Sequence, residues 1–167
     1  LYPTIKRYLV IKGNIKVRPP EGFELYTTDG DLSKEINKIM REEIEVVISK
    51  KVAKEVRPHL TLCDGTLSNK LRNTPCVGYI KTIKKLFISR ESAHILNELK
   101  RGQRTPLIKV HYQEKQEEKE KVDKYTWYVK LTDGEGIGTL ARLEVFSSVG
   151  LKRAIEIANL TAGILPK

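Results

Sequence analysis

Apolar positions along this chain follow two different periods, which predicts a mixed α/β fold. From residue 36 to residue 56, Ile36, Ile39, Met40, Ile44, Val47, Ile48, Val52 and Val56 recur at the 3.6-residue spacing of one helix face. That spacing predicts a long helix starting near Asp31-Leu32-Ser33, with Ser33 as N-cap and Glu35 in the first turn, and Pro58 stopping it. Ahead of it, apolar segments over 5–11 and 15–17 flank Lys12-Gly13-Asn14, a tight-turn signal that predicts a hairpin, and Pro19-Pro20-Glu21-Gly22 ends the regularity. Behind it, short apolar runs predict strands over 59–63, 76–82, 85–88, 107–112, 125–131 and 140–146. A short helix is expected over 90–101, with Ser89 as cap, Ile95, Leu96 and Leu99 on one face, and Gly102 just past its end. A final helix over 148–162 would put Leu151, Ala154, Ile155 and Ala158 on one face. The pattern divides the chain into a hairpin plus long helix, 1–58, and a strand-rich core, 59–167, within one globular unit.

Composition narrows the partner more than the fold. The 167 residues are 40% hydrophobic and 31% charged, enough apolar surface for a real core and too much for wholesale disorder. The formal net charge of +10 favours a polyanionic partner, nucleic acid ahead of membrane, because no basic amphipathic helix stands out. A surface rich in Lys and Glu of the kind thermophiles carry is the competing explanation. Two cysteines, Cys63 and Cys76, form neither a metal-ligand spacing nor a disulfide framework, so buried free thiols in a reducing cytoplasm are expected. No apolar run reaches the roughly 18 residues of a membrane span. The absence of an initiator Met and of a signal-peptide pattern suggests a piece of a longer protein or a trimmed form of one.

Chemistry concentrates in His59-Leu60-Thr61-Leu62-Cys63-Asp64-Gly65-Thr66-Leu67, where a short apolar run delivers one carboxylate to its end and a Gly-Thr turn follows. A buried carboxylate there is costly unless paired or bound to a cation; the simpler reading is a strand cap that opens an Asx-turn. A divalent-cation site needs a second acid, and the best candidate is Glu144 in Ala141-Arg142-Leu143-Glu144-Val145-Phe146, an acid inside an apolar strand. Arg142 and Glu144 share a face by period-2 alternation, which is equally the pattern of a surface ion pair on the wet side of a sheet. Asp133 and Glu135 are further acids, better explained as part of the turn Asp133-Gly134-Glu135-Gly136. The glycines 134, 136 and 138 resemble a phosphate loop, but a strand and not a helix follows, so nucleotide binding is disfavoured. Scattered His59, His94 and His111 rule against a zinc hydrolase, and no Gly-x-Ser-x-Gly elbow supports a serine triad. The charged segment 113–124 has nearly balanced signs and reads as a solvated hairpin tip. Lys81, Arg104, Lys109, Lys130 and Arg142, interleaved with Tyr79, Trp127 and Tyr128, are the candidate phosphate and base contacts.

Taken in order, Leu62-Cys63-Asp64-Gly65-Thr66-Leu67, Val77-Gly78-Tyr79-Ile80-Lys81-Thr82, Gly102-Gln103-Arg104-Thr105-Pro106-Leu107, Trp127-Tyr128-Val129-Lys130-Leu131 and Arg142-Leu143-Glu144-Val145 resemble the NurA nuclease family. The resemblance covers roughly residues 60–146 and, more loosely, the final helix. It implies an RNase H-like mixed β-sheet flanked by helices, Mn²⁺- or Mg²⁺-dependent 5′→3′ deoxyribonuclease activity in DNA end processing, a HerA-like ATPase partner and a homodimer. In that family the Asp of an Asp-Gly-Ser motif is a metal ligand; Asp64 matches it, with Thr66 in place of Ser. On this reading Asp64 and Glu144 are the catalytic metal ligands, and Lys81, Arg104, Lys109, Lys130 and Arg142 hold the DNA backbone. The alternative is a non-catalytic nucleic-acid-binding module that keeps the fold without a working ligand set, and a third option is a structural domain whose basic surface has no nucleic-acid role.

Overall fold

A computed structural model describes residues 5–56, 58–112 and 122–166. It divides into two compact units, Leu1–Ile48 and Ser49–Lys167. In the first, strands β1 (Arg7–Lys12) and β2 (Phe23–Thr28) pair in parallel, Arg7 opposite Phe23 and Lys12 opposite Thr28. The hairpin expected over 5–17 is therefore absent. Gly13, at φ +89°, turns the chain and donates its N–H to the Thr28 carbonyl at 2.9 Å. Pro19 and Pro20, lacking N–H groups, cannot extend a ladder, so the chain passes 15–22 without a strand before β2 begins.

Helix α1 (Leu32–Ile39) starts two residues earlier than Ser33 as N-cap would set it. Asp31 is the N-cap, its side chain accepting the Lys34 N–H at 2.9 Å. A π-helical turn (Met40–Glu45) then links α1 to α2 (Val46–Glu55), with the Val46 N–H reaching the Arg41 carbonyl five residues back. The wider turn offsets the side chains of the helical turns next to it from those of a continuous α-helix. The expected stripe is not buried as one face: Ile39, Val46 and Ser49 are buried, whereas Ile36, Met40, Val47, Ile48 and Val56 are exposed.

The second unit is built on a five-stranded mixed sheet in the order β3-β4-β7-β6-β5, flanked by helices and consistent with an RNase H-like fold. The strands are β3 (Thr61–Asp64), β4 (Cys76–Ile80), β5 (Ile108–Tyr112), β6 (Val122–Lys130) and β7 (Leu140–Phe146). β3 runs parallel to β4, and every other pairing is antiparallel. The strand expected over 85–88 is a loop instead, and the helix expected over 90–101 shrinks to one turn, α3 (Ile95–Glu98). Much of the charged segment placed at 113–124 lies outside the described residues; its last residues, Val122 to Lys124, belong to β6.

One sheet face is apolar. Val77, Trp127, Val129, Ala141, Leu143 and Val145 pack against Ala154, Ile157, Ala158 and Ala162 of α4 (Leu151–Ile164). Small residues on α4 let it approach Trp127, whose Nε1–H donates to Thr161 Oγ1 at 3.2 Å. The buried stripe of α4 is thus 154, 157, 158, 161 and 162, and Leu151 and Ile155, expected to share a face with Ala154 and Ala158, are exposed. The opposite face combines an apolar cluster of Leu96, Tyr128 and Leu140 with a row of polar side chains. Among the described residues no helix is long and apolar enough to cross a membrane.

Candidate functional site

Asp64 ends β3 and stands in the open. Its side chain is 77% exposed, and its Oδ1 lies 3.2 Å from the ammonium of Lys81, itself 62% exposed just beyond β4. The same ammonium sits 5.6 Å above the Tyr79 ring. Strand register explains the trio: Asp64 pairs with Tyr79, and Lys81 follows Tyr79 by two residues on the same face.

Glu144 is the opposite case, fully buried in β7. Its Oε1 accepts the Leu67 N–H at 2.9 Å and the Lys124 ammonium at 2.8 Å. Lys124, also buried, donates in addition to the Leu67 carbonyl at 2.9 Å and lies 5.1 Å from the centre of the Phe146 ring. Arg142 approaches the other carboxylate oxygen at 3.6 Å and stacks its guanidinium 4.7 Å from the Phe87 ring centre, while its Nε is buried without a hydrogen-bond partner. Underneath, Gly78 has no room for a side chain: a Cβ would lie 2.8 Å from the Gly65 carbonyl oxygen, 3.0 Å from Glu144 Cγ and 3.2 Å from Leu67 Cγ. Gly65 itself turns at φ +84° and donates its N–H to the Tyr79 carbonyl at 2.8 Å.

The two acids expected to share a cation are not brought together. Across the sheet, Asp64, Tyr79 and Leu143 form one row, and Cys63, Gly78 and Glu144 form the next. Adjacent rows of a sheet point to opposite faces, so Asp64 lies on the α4 side and Glu144 on the other. Glu144 is also engaged by Lys124 and Leu67. Among the described residues no three His, Cys, Asp or Glu side chains converge as cation ligands. One exposed carboxylate facing an ammonium does not by itself make a Mn²⁺ or Mg²⁺ site. Asp133 and Glu135 are exposed in their turn.

The five basic candidates also separate. Lys81 is exposed. Arg104 is tied to α4, its Nε and one terminal nitrogen donating to Asn159 Oδ1 at 3.0 and 2.7 Å, and it lines an open groove of 860 Å³ beside Pro106 and Gly163. Lys109 is half-exposed and pairs with Asp123 at 3.0 Å. Lys130 and Arg142 are buried, contrary to a surface phosphate role: Lys130 donates to the Gly134 carbonyl and to Thr139 Oγ1, closing the turn after β6, and Arg142 lies under Phe87. Of the aromatic candidates, Trp127 and Tyr128 are both fully buried, one on each face. Burial raises the Tyr128 phenol above its ordinary value, while its oxygen accepts the Phe87 N–H at 2.9 Å. Sequence reasoning misses Lys124, the last residue of the charged segment 113–124, and Gly78. An isolated glycine inside a strand is a signal for close backbone approach.

With the strands and the Asp64-Gly65-Thr66 turn in place, the family question has a direct answer. The profile of the NurA domain matches residues 4–162, nearly the whole chain. The chain belongs to the NurA family. Membership extends the resemblance beyond residues 60–146 to both compact units and assigns the chain to a family of nucleases. No curated protein matches it significantly.

Proposed function

We propose that this NurA-family chain hydrolyses phosphodiester bonds in DNA during end processing and repair, with Asp64 as its working carboxylate and Mn²⁺ or Mg²⁺ as the required ion. Family membership carries this reading, and the formal charge of +10 suits a polyanionic substrate. Asp64 is well disposed for such a role because it is exposed at a strand end, within reach of solvent and substrate. A hard cation of this kind is commonly held by one or two carboxylates together with substrate phosphate oxygens, and it supplies Lewis acidity to the phosphoryl group. Lys81, whose ammonium neutralises Asp64 in the free protein, is free to turn to a backbone phosphate instead. The same family reading names a HerA-like ATPase as partner and a homodimer as the assembly.

A second reading is favoured by one observation, that Asp64 and Glu144 lie on opposite faces: a nucleic-acid-binding module without hydrolysis. End-labelled single- and double-stranded DNA incubated with Mn²⁺ separates the two. Cleavage by the wild-type chain that falls at least about 100-fold in Asp64→Ala, the loss of a few kcal/mol of transition-state stabilisation, supports hydrolysis. Intact DNA with both proteins, together with binding that weakens steeply as salt rises, supports the module.

A further inference from the structure

We infer that Glu144 and Lys124 are positioning residues that clamp the turn carrying Asp64, and that neither contacts a cation or DNA. The inference rests on the hydrolytic role proposed for Asp64, and it assigns to Glu144 a different task from the metal ligation expected from sequence.

Leu67 belongs to no strand or helix, yet it is buried, and each of its backbone polar groups is taken by a side chain. Its N–H goes to Glu144 and its carbonyl to Lys124, and those two side chains bond each other, closing a ring of three contacts between 2.8 and 2.9 Å. At the near end of the same turn, Gly65 is fixed to the Tyr79 carbonyl. The segment from Asp64 to Leu67 is therefore anchored at both ends. The absence of a side chain at Gly78 lets it lie directly on β4, against the Glu144 methylenes. A buried ion pair adds little stability beyond an apolar pair of similar volume. What apolar side chains cannot do is satisfy the amide and the carbonyl of Leu67 together. The pair thus selects one geometry for the turn, and that geometry sets where the Asp64 carboxylate projects from β3 beside Lys81.

Four variants test this: Lys124→Met, Glu144→Gln, Glu144→Leu and Asp64→Ala. Each is assayed for DNA cleavage with Mn²⁺ at a temperature where circular dichroism shows it folded, and for amide hydrogen exchange at Leu67. A displaced reacting group costs up to about 100-fold in rate, so Lys124→Met should lower kcat on the order of 10- to 100-fold, leave KM for DNA nearly unchanged, and speed exchange at Leu67. Glu144→Gln keeps an oxygen for the Leu67 N–H and should retain most of the activity that Glu144→Leu loses. Glu144→Gln as inactive as Asp64→Ala would mean that Glu144 is itself a ligand and would overturn the inference. So would wild-type kcat in Lys124→Met, or unchanged exchange at Leu67. A wild-type chain that does not cleave DNA sinks the hydrolytic reading instead, and the clamp then stands or falls on the Leu67 amide alone.

Discussion

The two faces of the five-stranded sheet are drawn from the same strands, one residue out of step, and they are held by different physics. Toward α4 the strands present Trp127, Val129, Ala141, Leu143 and Val145, and the face is stabilised by removing apolar surface from water. On the other side the alternate residues are Lys124, Thr126, Tyr128, Lys130, Arg142 and Glu144, all buried. There, stability depends on partners: Thr126 Oγ1 donates to the Leu143 carbonyl at 2.6 Å, Lys130 to the turn after β6, and Lys124 to Glu144 and Leu67. The difference teaches that alternation of apolar and polar residues does not identify a wet face. In β7 every residue is buried, polar and apolar alike.

If the polar face is as much core as the apolar one, deleting its centre should hurt as much. Glu144→Leu leaves the Lys124 ammonium buried without its carboxylate and should cost about 3–5 kcal/mol. Trp127→Ala, on the apolar face, should cost about the same, 3–5 kcal/mol. Urea unfolding of both proteins checks the pair; a Glu144→Leu chain within 1 kcal/mol of wild type, roughly, would break the comparison. Gly78→Ala sharpens it, because the added methyl meets the Gly65 carbonyl, a backbone atom with no freedom to move aside. Overpacking of this sort costs about 1–3 kcal/mol, and the same unfolding experiment reads it.

The smallest effect belongs to the α4-side edge, where exposed charges pair in solvent. Hydrogen bonds from Lys109 and His111 hold the Asp123 carboxyl below the usual carboxylate range. Between the folded and unfolded values the unfolded chain binds more protons. The contribution is therefore complete above about pH 4, the ordinary Asp range, and is lost as pH falls through the lower folded value. Asp123→Asn should accordingly melt slightly below wild type at neutral pH, and the gap should close in acid; a gap independent of pH would remove the ion pairs from the account.

Legibility in the sequence followed how local the controlling physics was. β7 is legible with its observed bounds, because Leu140 to Phe146 is an uninterrupted apolar run apart from Arg142 and Glu144. Asp64 at a strand end was visible from five residues of context. The long helix is legible in the 3.6-residue spacing, but the π-helical turn at Met40–Glu45 is not, since nothing in the spacing announces it. Phe87 and Ile88 looked like a strand because they are apolar; they are a loop whose backbone is held by Tyr128, 41 residues on. The clamp around Leu67 was illegible for the same reason. Its members lie 57 and 77 residues from Leu67, and only strand register brings them together.

β7 occupies the middle of the sheet, between β4 and β6, yet it is the last strand in the chain. Of the strands of this sheet, β3 and β4 emerge first during synthesis, and one edge of β4 has no partner until residue 146 has left the ribosome. Pairing of β4 with β7 closes a loop of more than sixty residues, the kind of long-range contact that slows folding. Until then an unsatisfied row of Cys76, Val77, Gly78, Tyr79 and Ile80 is open to any passing strand. A nascent chain halted before Leu140 should therefore be the most aggregation-prone species this protein ever presents.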